Sequence, residues 1–141
     1  MLADKLFGST LELLGKSIDL RARKHSMISG NLANAETPGY TPSTLDFEAE
    51  LKHAVQTKLG KRNSTPPHPR HIPLKGQAAE LEAVRGRVME VPAGPAGRDG
   101  NGVELEAEMS RMMENQILYN ASVQILAKKF EGLKTAIRDG R

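Results

Sequence analysis

The sequence predicts a mainly α-helical protein. Long N- and C-terminal helices pack as an antiparallel, coiled-coil-like rod around a Pro/Gly-rich, partly irregular insert. Three observations predict this. Apolar residues recur in heptads at both ends of the 141-residue chain, whereas Pro and Gly concentrate between them. Only 4% of the residues are aromatic and none is Trp, too little for a large central core.

The first element spans residues 2–35. Its seam runs Phe7, Leu11, Leu14, Ile18, Arg21, His25, Ile28, Leu32, Ala35 in alternating steps of four and three, the spacing of a helix that faces another helix. A flanking row, Leu13, Leu20 and Met27, widens the apolar face. Gly8, Gly15 and Gly30 each cost about 1 kcal/mol of helix propensity relative to Ala, so this helix is marginal alone. Arg21 and His25 on the seam imply a packing register, or a contact that is not purely hydrophobic. The helix ends before Thr37-Pro38-Gly39-Tyr40, where Pro38 restricts its predecessor to extended conformations and Gly39 supplies a turn.

Between 43 and 59, Leu45, Phe47, Leu51, Val55 and Leu59 form an apolar row. A short helix from about Asp46 fits, capped by Thr44 or Asp46. Residues 61–102 hold most of the Pro and an excess of basic over acidic residues, and read as loop. Its regular piece lies near 83–91, where Val84, Val88 and Val91 suit a short strand or a helical turn.

The last element, from Val103 to Ile137, carries the stronger seam: Leu105, Met109, Met112, Gln116, Tyr119, Val123, Leu126, Phe130, Leu133, Ile137. At 1.5 Å per residue it makes a rod roughly 50 Å long. Asn101 is its natural N-cap. Glu104, Glu106 and Glu108 lie where the helix dipole favours anions, and Lys128, Lys129, Lys134 and Arg138 toward the end that favours cations. Gly140 ends it. The chain divides into residues 1–40 and 99–141, the halves of one helical rod domain, and 41–98, the insert. The leftover apolar residues, Leu13, Leu20 and Met27 on one helix and Leu118 and Ile125 on the other, are expected to face neighbouring copies. Such a surface repeated head to tail gives an open filament or a ring.

No pattern points to catalysis, a cofactor or a metal. Glu104, Glu106 and Glu108 lack a nucleophile or oxyanion donor nearby, and Gly100-Asn101-Gly102 lacks the context of a phosphate loop. His68-Pro69-Arg70-His71 has no Cys or paired carboxylates beside it. Met109, Met112 and Met113 read as helix-packing residues. Asn31 and Asn34 are expected to bond backbone groups at a helix end or between subunits. A net charge of +3, without aromatic platforms beside Arg21, Arg23 and Lys24, gives no nucleic-acid footprint. There is no Cys, hence no disulfide. The first residues lack the basic and apolar regions of a cleaved secretory signal, and no stretch is long enough to span a membrane.

The segment Ser29-Gly30-Asn31-Leu32-Ala33-Asn34-Ala35-Glu36-Thr37-Pro38-Gly39-Tyr40 resembles the N-x-A-N-x-x-T-P-G-Y signature of the bacterial flagellar rod and hook family. Asn31, Ala33, Asn34, Thr37, Pro38, Gly39 and Tyr40 fill its defining positions. A second stretch, Asp99-Gly100-Asn101-Gly102-Val103-Glu104-Leu105-Glu106-Ala107-Glu108-Met109, is similar to the entry to the C-terminal helix in the family's proximal rod members. The resemblance covers the two ends of the chain. It implies a non-enzymatic axial subunit that leaves the cell through the flagellum's own export apparatus without a cleaved signal. It further implies assembly into the periplasm-spanning rod beside the export gate, with other copies of itself, rod proteins of the FlgC, FlgF and FlgG types, and the adaptor FliE. No nucleic acid or small-molecule substrate is expected. The interface expected from the two seams comprises Phe7, Leu11, Leu14, Ile18 and Leu32 with Met109, Met112, Tyr119, Val123, Leu126, Phe130, Leu133 and Ile137. The alternatives are the sister proximal rod protein FlgC and a soluble coiled-coil adaptor.

Overall fold

A computed structural model describes residues 2–63, 81–91 and 103–139. Helix α1 spans Leu2–Ala33, strand β1 Ser43–Asp46, helix α2 Glu48–Asn63, strand β2 Arg87–Glu90 and helix α3 Leu105–Asp139. A single 3-10 turn, Leu81–Ala83, precedes β2. The side chain of Phe7 and all of Asn101, Gly140 and the His68–His71 segment lie outside the described residues, as does most of the insert.

The two long helices run antiparallel. Asn115 Nδ2 donates to the backbone carbonyl of Arg21 at 2.9 Å, and Asn31 Nδ2 to Glu108 Oε2 at 3.0 Å. Rising numbers on α1 therefore meet falling numbers on α3. On α1 the seam is where the heptads put it: Leu11, Leu14, Ile18, Arg21, His25 and Leu32 are half-buried and Ile28 is buried.

A small lobe covers a second face of α1. Strands β1 and β2 pair antiparallel, with Leu45 opposite Val88. Leu20 of α1, 2% exposed, is buried with Leu45, Phe47, Ala54, Leu81 and Val84, and Leu13, Met27, Leu51 and Val55 pack against them. The row Leu13, Leu20, Met27 thus faces the chain's own lobe and not a neighbouring copy. The insert supplies enough apolar side chains to cover it, and each buried Leu or Phe contributes about 1.5–3 kcal/mol. Two basic side chains of α1 fasten the lobe's far end. Lys16 Nζ donates to Glu82 O at 3.1 Å, and an Arg23 N–H to Arg85 O at 2.9 Å.

One local expectation shifts. Helix α2 begins at Glu48, and Ser43–Asp46, with both proposed cap residues, forms β1. Leu45 and Phe47 are two residues apart and both buried. That is the period of a strand, which places both on the inner face. The first bond of α2 runs from the Leu51 N–H to Phe47 O at 2.8 Å. The turn into β2 depends on a glycine. Gly86 has φ +72°, and a Cβ built there would lie 3.0 Å from both Leu45 Cδ1 and Phe47 Cβ. The backbone can pass the core at that point only without a side chain.

Candidate functional site

Helix α1 ends in a hydrogen-bonded turn that the sequence foreshadows. The Asn34 N–H is shared between Gly30 O and Asn31 O, both at 3.2 Å, and its side-chain Nδ2 donates to Gly30 O at 2.9 Å. These bonds close the last carbonyls of the helix, leaving Ala33 as its final residue. The Thr37 N–H then donates to Asn34 O at 3.0 Å, and Thr37 Oγ1 to Asn34 Oδ1 at 3.3 Å. The Tyr40 N–H returns to Thr37 O at 3.2 Å, with Gly39 at φ +76°. Pro then Gly at the two central positions, the Gly at positive φ, is the chemistry of a type II turn.

That turn delivers Tyr40 and Ser43 to Asn31, which is completely buried at 0% exposure. Asn31 Oδ1 accepts from the Tyr40 hydroxyl and from the Ser43 N–H, both at 3.1 Å. Its Nδ2 donates to Ser43 O at 2.8 Å and to Glu108 Oε2 at 3.0 Å. All four bonds an Asn side chain can make are filled. The pairing with Ser43 has a simple origin. The Val91 N–H bonds Pro42 O at 2.8 Å, so Ser43, one residue on, turns its own N–H and C=O away from β2. The Asn31 amide meets both, as a third strand would.

Glu108 completes the clasp from α3. It is buried, accepts from Asn31 and forms an ion pair with Arg111. From the sequence alone Glu108 reads only as an acid favoured by the helix dipole. Burial along α3 gives the signal that was missed, because the residues turned inward are Glu108, Met112, Asn115, Tyr119, Ser122, Leu126, Lys129 and Leu133. The heptad is right and half of its phase is not. Met112, Tyr119, Leu126 and Leu133 face α1, but their partners on the seam are Glu108, Asn115, Ser122 and Lys129. The larger apolar neighbours Met109, Val123, Phe130 and Ile137 stay exposed, Phe130 at 55%. Leu105, Met113 and Ile117 are exposed as well.

The seam therefore has a polar layer at its middle. Asn115 is buried, with its Oδ1 unpartnered, and Arg21 Nε and His25 Nδ1 are also buried without partners. Arg21 lies 5.5 Å from the Phe47 ring centroid and 3.8 Å from Glu48 Oε1, which ties this layer to the lobe. Among the described residues no cluster of His, Cys, Asp or Glu could hold a metal ion, and no helix is long and apolar enough to cross a membrane.

Two paired helices with a lobe on one side and a bare apolar flank on the other define a structural subunit built for packing among neighbours. No protein-family model matches the sequence, but its likeness to curated proteins runs nearly end to end. The chain is 33% identical over 132 residues to the flagellar basal body rod protein FlgB of Cereibacter sphaeroides, covering 94% of this chain and 96% of that one. It is 29% identical to FlgB of Yersinia enterocolitica over 143 residues and 27% identical to FlgB of Escherichia coli K12 over 140, each covering 97% of this chain and 98% of the relative. The chain belongs to the FlgB family of flagellar basal body rod proteins. It is accordingly a structural protein of the basal body rod, and the FlgB reading stands over the sister rod protein.

Proposed function

We propose that the chain is a proximal rod subunit that packs among copies of itself and the neighbouring rod proteins of the FlgC, FlgF and FlgG types. Its place is at the base of the rod, beside the adaptor FliE and the export gate. One observation carries the reading. Along α3 the residues Met109, Met113, Ile117, Val123, Phe130 and Ile137 are exposed together. A monomer in water rarely leaves so long an apolar flank bare, and such flanks mark interfaces. Burial among neighbours is worth about 25 cal/mol per Å² of apolar area, so many modest contacts add up to a stiff shaft. The turn from Asn31 to Tyr40 holds the lobe at a fixed angle to the two helices, which gives each subunit one shape to repeat.

The test is complementation in the source bacterium deleted for its own copy. Wild-type protein should restore swimming and appear in purified basal bodies. Val123→Asp combined with Phe130→Asp should remain soluble and helical yet restore neither. Normal swimming by that double variant would sink the proposal. The protein recovered from basal bodies should begin at Met1 or Leu2, and a shortened N-terminus would refute export without a cleaved signal.

A further inference from the structure

Beside the α1–α3 seam lies a groove of 500 Å³, bordered by His25, Met109, Met112, Met113, Gln116 and Ile117. The chain holds six Met, and three of them meet here. Met112 and Met113 stand three and four positions after Met109, the spacings that make helix residues neighbours. The three side chains leave α3 within an arc of about 100°. Met112 is half-buried, while Met109 and Met113 are 49% and 66% exposed. Across the groove, His25 comes from α1. The antiparallel register that sets Arg21 by Asn115 and Asn31 by Glu108 puts His25 at the level of Met112. His25 Nδ1 is buried without a hydrogen-bond partner.

Packing alone does not call for this set. Leu fills an interhelical groove as well as Met and is less flexible. A buried imidazole nitrogen without a partner is a cost to the fold. What the four side chains share is donor chemistry. Thioether sulfur is a soft, neutral donor, and imidazole nitrogen is of intermediate softness. Three thioethers from one helix and an imidazole from the helix facing it can surround one ion. Soft sulfur ligands select Cu(I) over harder cations. Zinc prefers thiolate, imidazole or carboxylate, and calcium and magnesium need oxygen. Among the described residues no carboxylate borders the groove. Neutral ligands also leave the ion's charge uncompensated. With Arg21 one helical turn before His25, a single positive charge is easier to hold there than two.

We propose that Met109, Met112, Met113 and His25 form a binding site for Cu(I), which Ag(I) occupies in the same way. The ion enters as Cu(I), so its oxidation state does not change and no bond of the protein breaks. Held from both helices, it ties α1 to α3, and its binding free energy is added to their pairing. The site shares Met109 and Met113 with the flank given above to neighbouring rod subunits, so metal and neighbour exclude each other at that point. It is built from four side chains of this chain alone and does not rest on the rod reading.

The test uses the untagged full-length chain under anaerobic conditions. Cu(I) is supplied as its acetonitrile complex, in competition with the chelator bathocuproine disulfonate. Wild type should draw one equivalent of Cu(I) from the chelator, and a hundredfold excess of Zn(II), roughly, should not displace it. The triple variant Met109→Leu, Met112→Leu, Met113→Leu keeps volume and helix propensity. It should stay as helical as wild type by circular dichroism yet bind about a hundredfold more weakly, and His25→Gln about tenfold. Ag(I) followed through the methyl carbons of labelled methionine locates the ion. The signals of Met109, Met112 and Met113 should shift together and saturate at one equivalent. Met27, packed against the lobe core, and Met89 on β2 should not move. Ag(I) should also raise the thermal midpoint of wild type and leave that of the triple variant unchanged. Failure of wild type to take Cu(I) from the chelator would overturn the proposal. So would displacement by Zn(II), a triple variant binding within about threefold of wild type, or silver shifts spread evenly over all the methionines. None of these readouts involves motility, so their failure is distinct from failure of the rod reading.

Discussion

Asn31 shows how much one side chain can carry. From the last turn of α1 its amide joins the edge of β1, the Tyr40 turn and the buried Glu108 of α3 at once. Removing it leaves Ser43, Tyr40 and a buried carboxylate short of partners, and unpaired buried groups cost about 1–3 kcal/mol each. Asn31→Ala should therefore lower unfolding free energy by about 3 kcal/mol in a urea titration. Asn31→Asp keeps the shape but loses both donors and sets a second carboxylate against Glu108. It should be at least as damaging, and Glu108→Gln should recover part of the loss. Two glycines make an opposite pair. Gly86 needs positive φ and has the core 3.0 Å away, so Gly86→Ala should destabilise by about 1–3 kcal/mol. Gly15 is helical with open space around it, so Gly15→Ala should stabilise by up to about 1 kcal/mol. Thermal unfolding of both variants should move the midpoint in opposite directions.

At the scale of elements, the helices were legible in the sequence and their facing was legible in part. A four-three apolar spacing is produced by helix geometry alone, so α1 and α3 could be found and their antiparallel pairing inferred. The inward side of α3 was hidden because half of it is Glu108, Asn115, Ser122 and Lys129, while bulkier side chains one position away lie exposed. Hydropathy cannot distinguish an apolar stripe that meets its own chain from one kept for a neighbour. The turn was legible because Pro38 and Gly39 fix backbone angles locally. Strand β1 was not, because its partner β2 lies more than 40 residues away in sequence and four residues carry little periodicity. The polar layer of the seam leads to a prediction. Asn115→Leu removes an unpartnered buried oxygen together with the 2.9 Å bond from its Nδ2 to Arg21 O, so the gain and the loss oppose each other and the thermal midpoint should move little. It should also loosen the register of α1 against α3, since a buried Asn on a helix seam penalises slipped alignments. A paired spin label on each helix should show one narrow distance in the wild type and a broadened one in the variant.

At the scale of the whole molecule, α1 is the shared wall of two compartments, the lobe core on one side and the α3 seam on the other. Leu20 and Asn31 belong to the best-buried parts of each. Amide hydrogen exchange should be slowest in α1 from Leu20 to Asn31 and in β1, and fastest in α3 beyond Phe130, where the flanking side chains are exposed. Phe47→Ala should cost about 3–5 kcal/mol and open the lobe before the helices separate. The bonds of Asn31 also differ in the length of chain they close. Those to Ser43 span 12 residues and the one to Glu108 spans 77. Short loops close at less entropic cost than long ones, so a chain emerging into free space makes its N-terminal half first, with the amide donor for Glu108 already aimed. Helix α3 is then the last piece to arrive and the first that can leave, and a subunit can exchange the partner of that helix without dismantling the rest of itself.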